Sequence, residues 1–256
     1  MRCATQKVFN TLLASNILYL ASTSGDHRQI YLGYAAQIIN KEVEKETMKY
    51  RHIVFDLDGT LLDTEEAVLN AWQHTLKAYR YHFPLEELRV VLGITVEKGI
   101  DALGVLVDNQ FERRLTESYA LYTGNTAFFP GVGELLLQLK QRGYSLGVVT
   151  SRNREECRRY FGTFGLEILC GQFICAEDTE RHKPEPEPLL KYMEQAGAAA
   201  ESCIYIGDMP TDVACANRAG AVSALAVWNQ SGILCPDAQL ILQTPADLLR
   251  ILDAPA

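Results

Sequence analysis

A chain of 256 residues is long enough for one large domain, or for a core domain carrying a smaller insert. Its 32 acidic against 24 basic side chains leave a formal net charge of -8, which disfavours broad binding to nucleic acid phosphates and points at most to a small anionic ligand met by a few converging cations. With 48% hydrophobic and 22% charged residues, the composition is that of a folded globular protein and excludes disorder of the whole chain.

Residues 1–47 are the least defined stretch. Val8 to Ser22 is moderately apolar and follows Arg2 and Lys7, the outline of a targeting segment. Asn10, Thr11, Ser15 and Asn16 break the run, which is too short to span a bilayer, and no small-residue cleavage site follows. Met48 stands just before the first strong strand signal, so an N-terminal arm or upstream extension is the preferred reading. The cysteines are Cys3, Cys157, Cys170, Cys175, Cys203, Cys215 and Cys235; no two form a Cys-x-x-Cys pair, and several lie among apolar residues. They read as buried free thiols of a reducing, cytoplasmic compartment rather than as disulfides or a zinc site.

In chain order, His52 to Phe55 is a short apolar run suited to a buried strand. Asp63 and Glu66 have capping-box spacing ahead of Ala67, Leu69, Trp72 and Leu76, so Asp63 is expected to cap a helix. Residues 64–128 read as helical, with turns near Phe83-Pro84 and Leu92-Gly93, until Pro130-Gly131 breaks the pattern. A helix then runs to Gly143, and a strand from Ser145 to Thr150. A helix over 153–164, a strand from Gln172 to Ala176, a helix from Pro186 to Ala196 and a strand from Cys203 to Ile206 follow. Asp212 to Ala219 is a helix and Val222 to Val227 a fifth strand. This alternation predicts a Rossmann-like α/β core with a parallel sheet (48–63 and 129–256) and a helical domain inserted after the first strand (64–128).

Ligands of such sheets bind beyond the carboxyl ends of the strands. Asp56 and Asp58 follow the first strand, Thr150 and Ser151 the second, Lys183 lies past the third, and Asp208 and Asp212 follow the fourth. Converging carboxylates repel and need a cation to stay ionised; oxygen-only donors favour magnesium over zinc. A lysine and a hydroxyl nearby suit the remaining oxygens of a phosphate.

The segment Asp56-Leu57-Asp58-Gly59-Thr60-Leu61-Leu62-Asp63 resembles the first motif of the haloacid dehalogenase superfamily. Thr150 after an apolar strand resembles the second motif, Lys183-Pro184-Glu185-Pro186-Glu187-Pro188 the third in its phosphoglycolate-phosphatase-like form, and Gly207-Asp208-Met209-Pro210-Thr211-Asp212 the fourth. The likeness covers the chain from about residue 50 onward. It implies Asp56 as nucleophile and magnesium ligand, with an aspartyl-phosphate intermediate. It implies that Asp58 offers its backbone carbonyl to magnesium and its side chain as general acid and base. Thr150, Ser151 and Lys183 would hold the phosphoryl group, Asp208 would ligate magnesium, and Asp212 would stand behind it. Residues 64–128 would be a cap that closes over the site. Asp58 also favours phosphoryl chemistry over dehalogenation, since halide leaves without a proton.

The function expected is therefore magnesium-dependent hydrolysis of a small phosphorylated metabolite by a cytoplasmic monomer or homodimer that binds neither nucleic acid nor membrane. Phosphoglycolate leads the expected substrates on resemblance, ahead of pyrophosphate. A phosphomutase of the β-phosphoglucomutase kind and a non-catalytic binding module are the rivals. Asp178 and Glu180 read as solvated loop residues, His182 as a loop histidine with a structural hydrogen bond, and Trp72, Tyr119 and Tyr122 as packing. Arg152 and Arg154 stay open between surface residues opening a helix and contacts to an anionic substrate. Gly93-Ile94-Thr95 reads as an inter-helix turn in preference to a substrate-selecting loop.

Overall fold

A computed structural model describes residues 48–229 and 232–254, so the expected N-terminal arm, residues 1–47, lies outside the described residues. His52–Phe55 forms strand β1, in which Ile53, Val54 and Phe55 have no exposure. Strands buried on both faces read as continuous apolar runs rather than alternating ones. The other sheet strands are β4 (Ser145–Val149), β5 (Gln172–Ile174), β6 (Cys203–Gly207), β7 (Val222–Ala226) and β8 (Leu240–Leu242). They pair in parallel in the order β5-β4-β1-β6-β7-β8. After β1 the chain adds β4 and β5 on one side, then β6 to β8 on the other. This reversal puts a crevice at the carboxyl ends of β1, β4 and β6, where such sheets take their ligands.

Between β1 and β4 run helices α1 (Glu65–Ala78), α2 (Leu85–Leu88), α3 (Val96–Leu103) and α4 (Phe111–Tyr119). A two-stranded antiparallel pair, β2 (Leu62–Asp63) with β3 (Ala127–Phe128), joins the two ends of this helical segment, with Leu62 opposite Phe128. Its own apolar core holds it together: the Trp72 and Phe111 rings lie 5.3 Å apart, and Gly99 of α3 packs so close to Trp72 that a Cβ there would sit 2.7 Å from the ring. The Thr75 hydroxyl donates to Ser118 Oγ at 2.9 Å, pinning α1 to α4.

The core completes with α5 (Val132–Gln141), α6 (Arg154–Phe161), α7 (Leu166–Leu169), α8 (Glu187–Ala196), α9 (Pro210–Ala219) and α10 (Pro245–Leu252). All five expected strands are present. β8 and α10 are additions: a three-residue edge strand carries almost no pattern, while Thr244 and Asp247 do form a capping box ahead of α10. Asp63 does not cap the first helix. The β2–β3 pairing holds it extended and exposed, and Thr64 takes the N-cap position. For the same reason residues 127–128 are strand rather than helix. Cys157, Cys170, Cys175, Cys203 and Cys215 are buried free thiols, and Cys235 is free and partly exposed. No helix of the described residues is long and apolar enough to cross a membrane.

Candidate active site

Asp56 leaves the end of β1, its backbone N–H donating to Ile206 O at 2.8 Å, which aims the side chain into the crevice between β1 and β6. Lys183 arrives from the loop after β5. Its Nζ donates to Asp56 Oδ1 at 2.6 Å and to Asp212 Oδ1 at 2.7 Å, with all three side chains at most 4% exposed. Asp212, near the start of α9, is spoken for on both oxygens: Oδ1 also accepts from the Tyr205 hydroxyl at 3.0 Å, and Oδ2 from the Met209 N–H at 3.1 Å. Asp208 follows β6, where the Asn229 side chain donates to Oδ2 at 2.8 Å and the Thr60 hydroxyl to Oδ1 at 3.3 Å. Gly59 makes this approach feasible. Its φ is +78°, and a Cβ there would lie 2.3 Å from Asp208 Oδ2.

Carboxylate oxygens of Asp56, Asp208 and Asp212 all lie within 4.8 Å of one another, a cluster able to hold a metal ion. Burial, only partly offset by Lys183, pushes the Asp56 carboxyl up to about 7, with Asp212 and Asp58 adding to the rise. Burial, reinforced by Asp56 and Asp212, raises Asp208 well above the carboxylate range. Burial works against the charge of Lys183, but the Asp212 and Asp56 carboxylates outweigh it and hold the ammonium firmly protonated. Three carboxylates facing one ammonium are short of positive charge, which is the condition a divalent cation relieves.

The Asp58 side chain is outside that cluster. Arg152, from the loop after β4, donates Nε to Oδ2 at 2.8 Å and to Oδ1 at 3.0 Å, and Nη2 to Oδ1 at 2.8 Å; the Thr64 hydroxyl adds a bond of 2.6 Å. Burial opposes ionisation of Asp58, but the guanidinium prevails and holds its carboxyl below the usual range. Arg152 lies over the Tyr119 ring of α4 at 4.2 Å and has Glu156 Oε2 at 3.9 Å from Nη1. Thr150 is buried at the end of β4, its hydroxyl accepting from the Arg152 N–H at 3.2 Å. The Ser151 hydroxyl donates to Gly93 O at 3.2 Å.

Asp56, Asp58, Ser151, Arg152, Lys183 and Asp208 form the floor of a cavity of about 100 Å³, roofed by the helical segment. Val68 and Trp72 of α1, Val91 and Ile94 of the α2–α3 connection, Val96 of α3 and Leu115 of α4 supply most of the roof. The roof is fastened down: Lys98 Nζ of α3 donates to Lys183 O at 3.1 Å, and Gly93, at φ +72°, packs on Met209 where a Cβ would meet Cγ at 2.8 Å. Gly93 and Ile94 thus reach the cavity, while Trp72 and Tyr119 both pack and line it. Tyr122 stays at the margin, with its hydroxyl 3.1 Å from His74. Asp178 accepts from the Cys175 N–H and pairs with Arg154, so Arg154 faces away from the cavity lining. The structure brings Asp56, Asp58, Ser151, Lys183 and Asp208 to one cavity, with Asp212 behind Lys183; Thr150 does not line it. Arg152, Asn229 and the Thr64 hydroxyl are the side chains that reading the sequence did not place. Arg152, two residues past a strand-end threonine, carried a signal; Asn229, after a fifth strand, carried none.

Residues 53–226 match the model of the haloacid dehalogenase-like hydrolase family. The chain is 31% identical over 188 residues to a PpaX pyrophosphatase homologue of Caldanaerobacter subterraneus, spanning 71% of this chain and 84% of that protein. It is 29% identical over 224 residues to pyrophosphatase PpaX of Halalkalibacterium halodurans, spanning 82% and 100%. A Lactobacillus plantarum structure described as a phosphoglycolate phosphatase superposes with a TM-score of 0.73 at 26% identity, covering 80% of this chain and all 100% of that one. CbbY of Rhodobacter sphaeroides, solved with phosphate, shares the fold at a TM-score of 0.69 and 23% identity over 80% of this chain and 100% of its own.

Proposed function

Because the chain belongs to the haloacid dehalogenase-like hydrolase family, as a phosphatase of that family, we propose that it hydrolyses a small phosphorylated metabolite with Asp56 as nucleophile and magnesium as cofactor. The observation that carries this reading is the Asp56 carboxylate held 2.6 Å from Lys183 Nζ beside two further buried carboxylates. The donor set fits magnesium, since only oxygens converge: the side chains of Asp56 and Asp208 and the backbone carbonyl of Asp58 would hold it. When bound, magnesium neutralises part of the carboxylate repulsion and polarises the phosphoryl oxygens.

The chain's own groups do the rest. An Asp56 oxygen forms a bond to phosphorus as the ester P–O bond breaks, and Asp58 gives its proton to the departing alkoxide. In the Arg152 fork Asp58 is ionised, so to act as the acid it first turns from the guanidinium toward the leaving oxygen and takes up a proton from water. Water then attacks the phosphorus of the aspartyl-phosphate, Asp58 takes its proton, and phosphate leaves with Asp56 restored. Lys183 offsets charge on Asp56 and the phosphoryl oxygens, Ser151 steadies that group, Thr150 supports the loop through the Arg152 N–H, and Asp212 fixes Lys183 in place. Residues 64–128 act as a cap, and its bonds from Lys98 and Gly93 to the core support a closed form that excludes water. Buried free thiols support a cytoplasmic setting.

Similarity to the PpaX proteins favours a second reading, pyrophosphate as substrate, with the same nucleophile and a different leaving group. The test is acid quenching during turnover of a ³²P-labelled phosphate ester with magnesium. Label bound to wild-type protein, absent from Asp56→Asn, with free phosphate as product, is expected. Label passing to a second sugar hydroxyl identifies a phosphomutase instead, and undiminished phosphate release by Asp56→Asn removes the nucleophile assignment.

A further inference from the structure

Arg152 stands on the leaving-group side of the cavity, because its guanidinium grips Asp58, the side chain that meets the departing oxygen. Among the described residues lining the cavity, the cationic side chains are Lys183 and Arg152, and Lys183 is committed to Asp56 and Asp212 on the floor. Arg152 is held in place but not fully used. Tyr119 covers one face of the guanidinium at 4.2 Å, and the side chain is 11% exposed. Nε and Nη2 donate to Asp58 at 2.8–3.0 Å, whereas Nη1 donates no hydrogen bond and has Glu156 Oε2 3.9 Å away. Glu156 is itself partly engaged elsewhere, its Oε1 accepting from the Thr116 hydroxyl at 3.2 Å.

Turnover as derived above takes Asp58 off this fork. The guanidinium is then buried with Nε and Nη2 bare and only the loose Glu156 contact for its charge, a costly state away from water. A leaving group that is an uncharged alcohol does nothing to relieve it. A carboxylate or phosphate close to the ester oxygen does, since its paired oxygens match the planar fork in the place that Asp58 gives up. We propose, resting on the hydrolase reading above, that Arg152 has two successive partners and thereby selects the substrate: Asp58 in the resting enzyme, and in turnover a second anion carried by the leaving group. The exchange couples substrate choice to catalysis. The incoming anion takes the fork, and Asp58 is released toward the leaving oxygen by substrates that fill its place. Carboxylate and phosphate share this chemistry, and phosphoglycolate and pyrophosphate present one each.

The test compares phosphate release, as kcat/KM with magnesium, from phosphoglycolate, from its uncharged isostere phosphoglycolamide, and from pyrophosphate. Wild type is expected to prefer phosphoglycolate or pyrophosphate to the amide by at least about tenfold. Arg152→Gln should lower kcat/KM for the preferred anionic substrate by about a hundredfold and for the amide far less, so that the preference collapses. A merely structural role for Arg152 would lower both alike. Arg152→Lys, which keeps the charge without the fork, should restore part of the preference. Should Arg152→Gln not fold, titration calorimetry on Asp56→Asn, which cannot turn over, takes its place. There, adding Asp58→Asn removes the competitor for the fork and should tighten Kd for phosphoglycolate by about tenfold while leaving that for the amide nearly unchanged. Pyrophosphate ahead of phosphoglycolate, with the same loss in Arg152→Gln, identifies phosphate as the second anion. Phosphoglycolamide cleaved as fast as both anionic substrates, a preference unmoved in folded Arg152→Gln, or a phosphoglycolate Kd unmoved by Asp58→Asn overturns the inference while leaving the hydrolase reading intact. No phosphate from any of the three, nor from p-nitrophenyl phosphate, overturns the hydrolase reading and this inference with it.

Discussion

Beneath the cavity, Asp56, Lys183 and Asp212 are at most 4% exposed and bound to one another at 2.6–2.7 Å; above it, the helical segment presents Val68, Trp72, Val91, Ile94, Val96 and Leu115. The floor is costly to build. Each charge taken from water must be met by another, and carboxylates still outnumber ammonium there. The roof is inexpensive, since apolar side chains gain by covering one another and several partly exposed ones suffice. The contrast teaches how the two regions are built: the floor by charges that must meet one another, and the roof by apolar side chains that gain by leaving water.

The comparison breaks most sharply at Asp56. Asp56→Asn is expected to lower turnover by at least about 10⁴-fold, because an amide is a poor nucleophile. Its melting temperature should hold, so calorimetry alongside a phosphate-release assay separates chemistry from folding. Next comes Asp58→Asn, expected to cost roughly 10²–10⁴-fold with alkyl phosphates and much less with aryl phosphates, whose leaving groups need little protonation. Equal losses in the two series would take Asp58 out of the acid role.

Lys183→Met leaves Asp56 and Asp212 buried without their ammonium, a cost of about 3–5 kcal/mol, or roughly 10 °C in melting temperature. The roof variant Trp72→Ala should lose a similar amount through a cavity. Added magnesium tells the two apart: thermal-shift assays should show a larger rise for Lys183→Met than for wild type, and a wild-type rise for Trp72→Ala. The smallest effect is expected of Asn229→Ala, which removes one donor from Asp208, about 1.5 kcal/mol of stability, and weakens magnesium binding by about tenfold. A magnesium titration of the melting temperature in that variant measures it; an unchanged titration would mean that Asn229 does not hold Asp208 for the ion.

Much of the floor was legible because its signals are local. A buried strand followed at once by a charged residue is costly unless that charge is used, and Asp56 and Asp208 each stand in that position. Proline, glycine and branched residues marked the five strands for the same reason. The roof was legible only as apolar helix. Nothing in the spacing of Val68, Val91 and Leu115 distinguishes a residue facing a ligand from one facing a neighbouring helix. Arg152 shows the limit from the other side: its identity invited an anionic substrate, yet its partner is Asp58, 94 positions earlier. Asn229 reaches Asp208 only because the turn after β7 comes back over the sheet end.

By itself the sequence determined the alternation of strands and helices that implies a parallel sheet, the helical interruption after the first strand, and the residues that end the buried strands, since propensity, periodicity and burial cost act over a few neighbouring positions. Tertiary structure alone decided which carboxylates share Lys183, that Arg152 pairs with Asp58, and that apolar side chains of the helical segment face the cavity. Those are contacts between strands and helices far apart in the chain, and the charge balance of a cavity exists only once its walls are brought together.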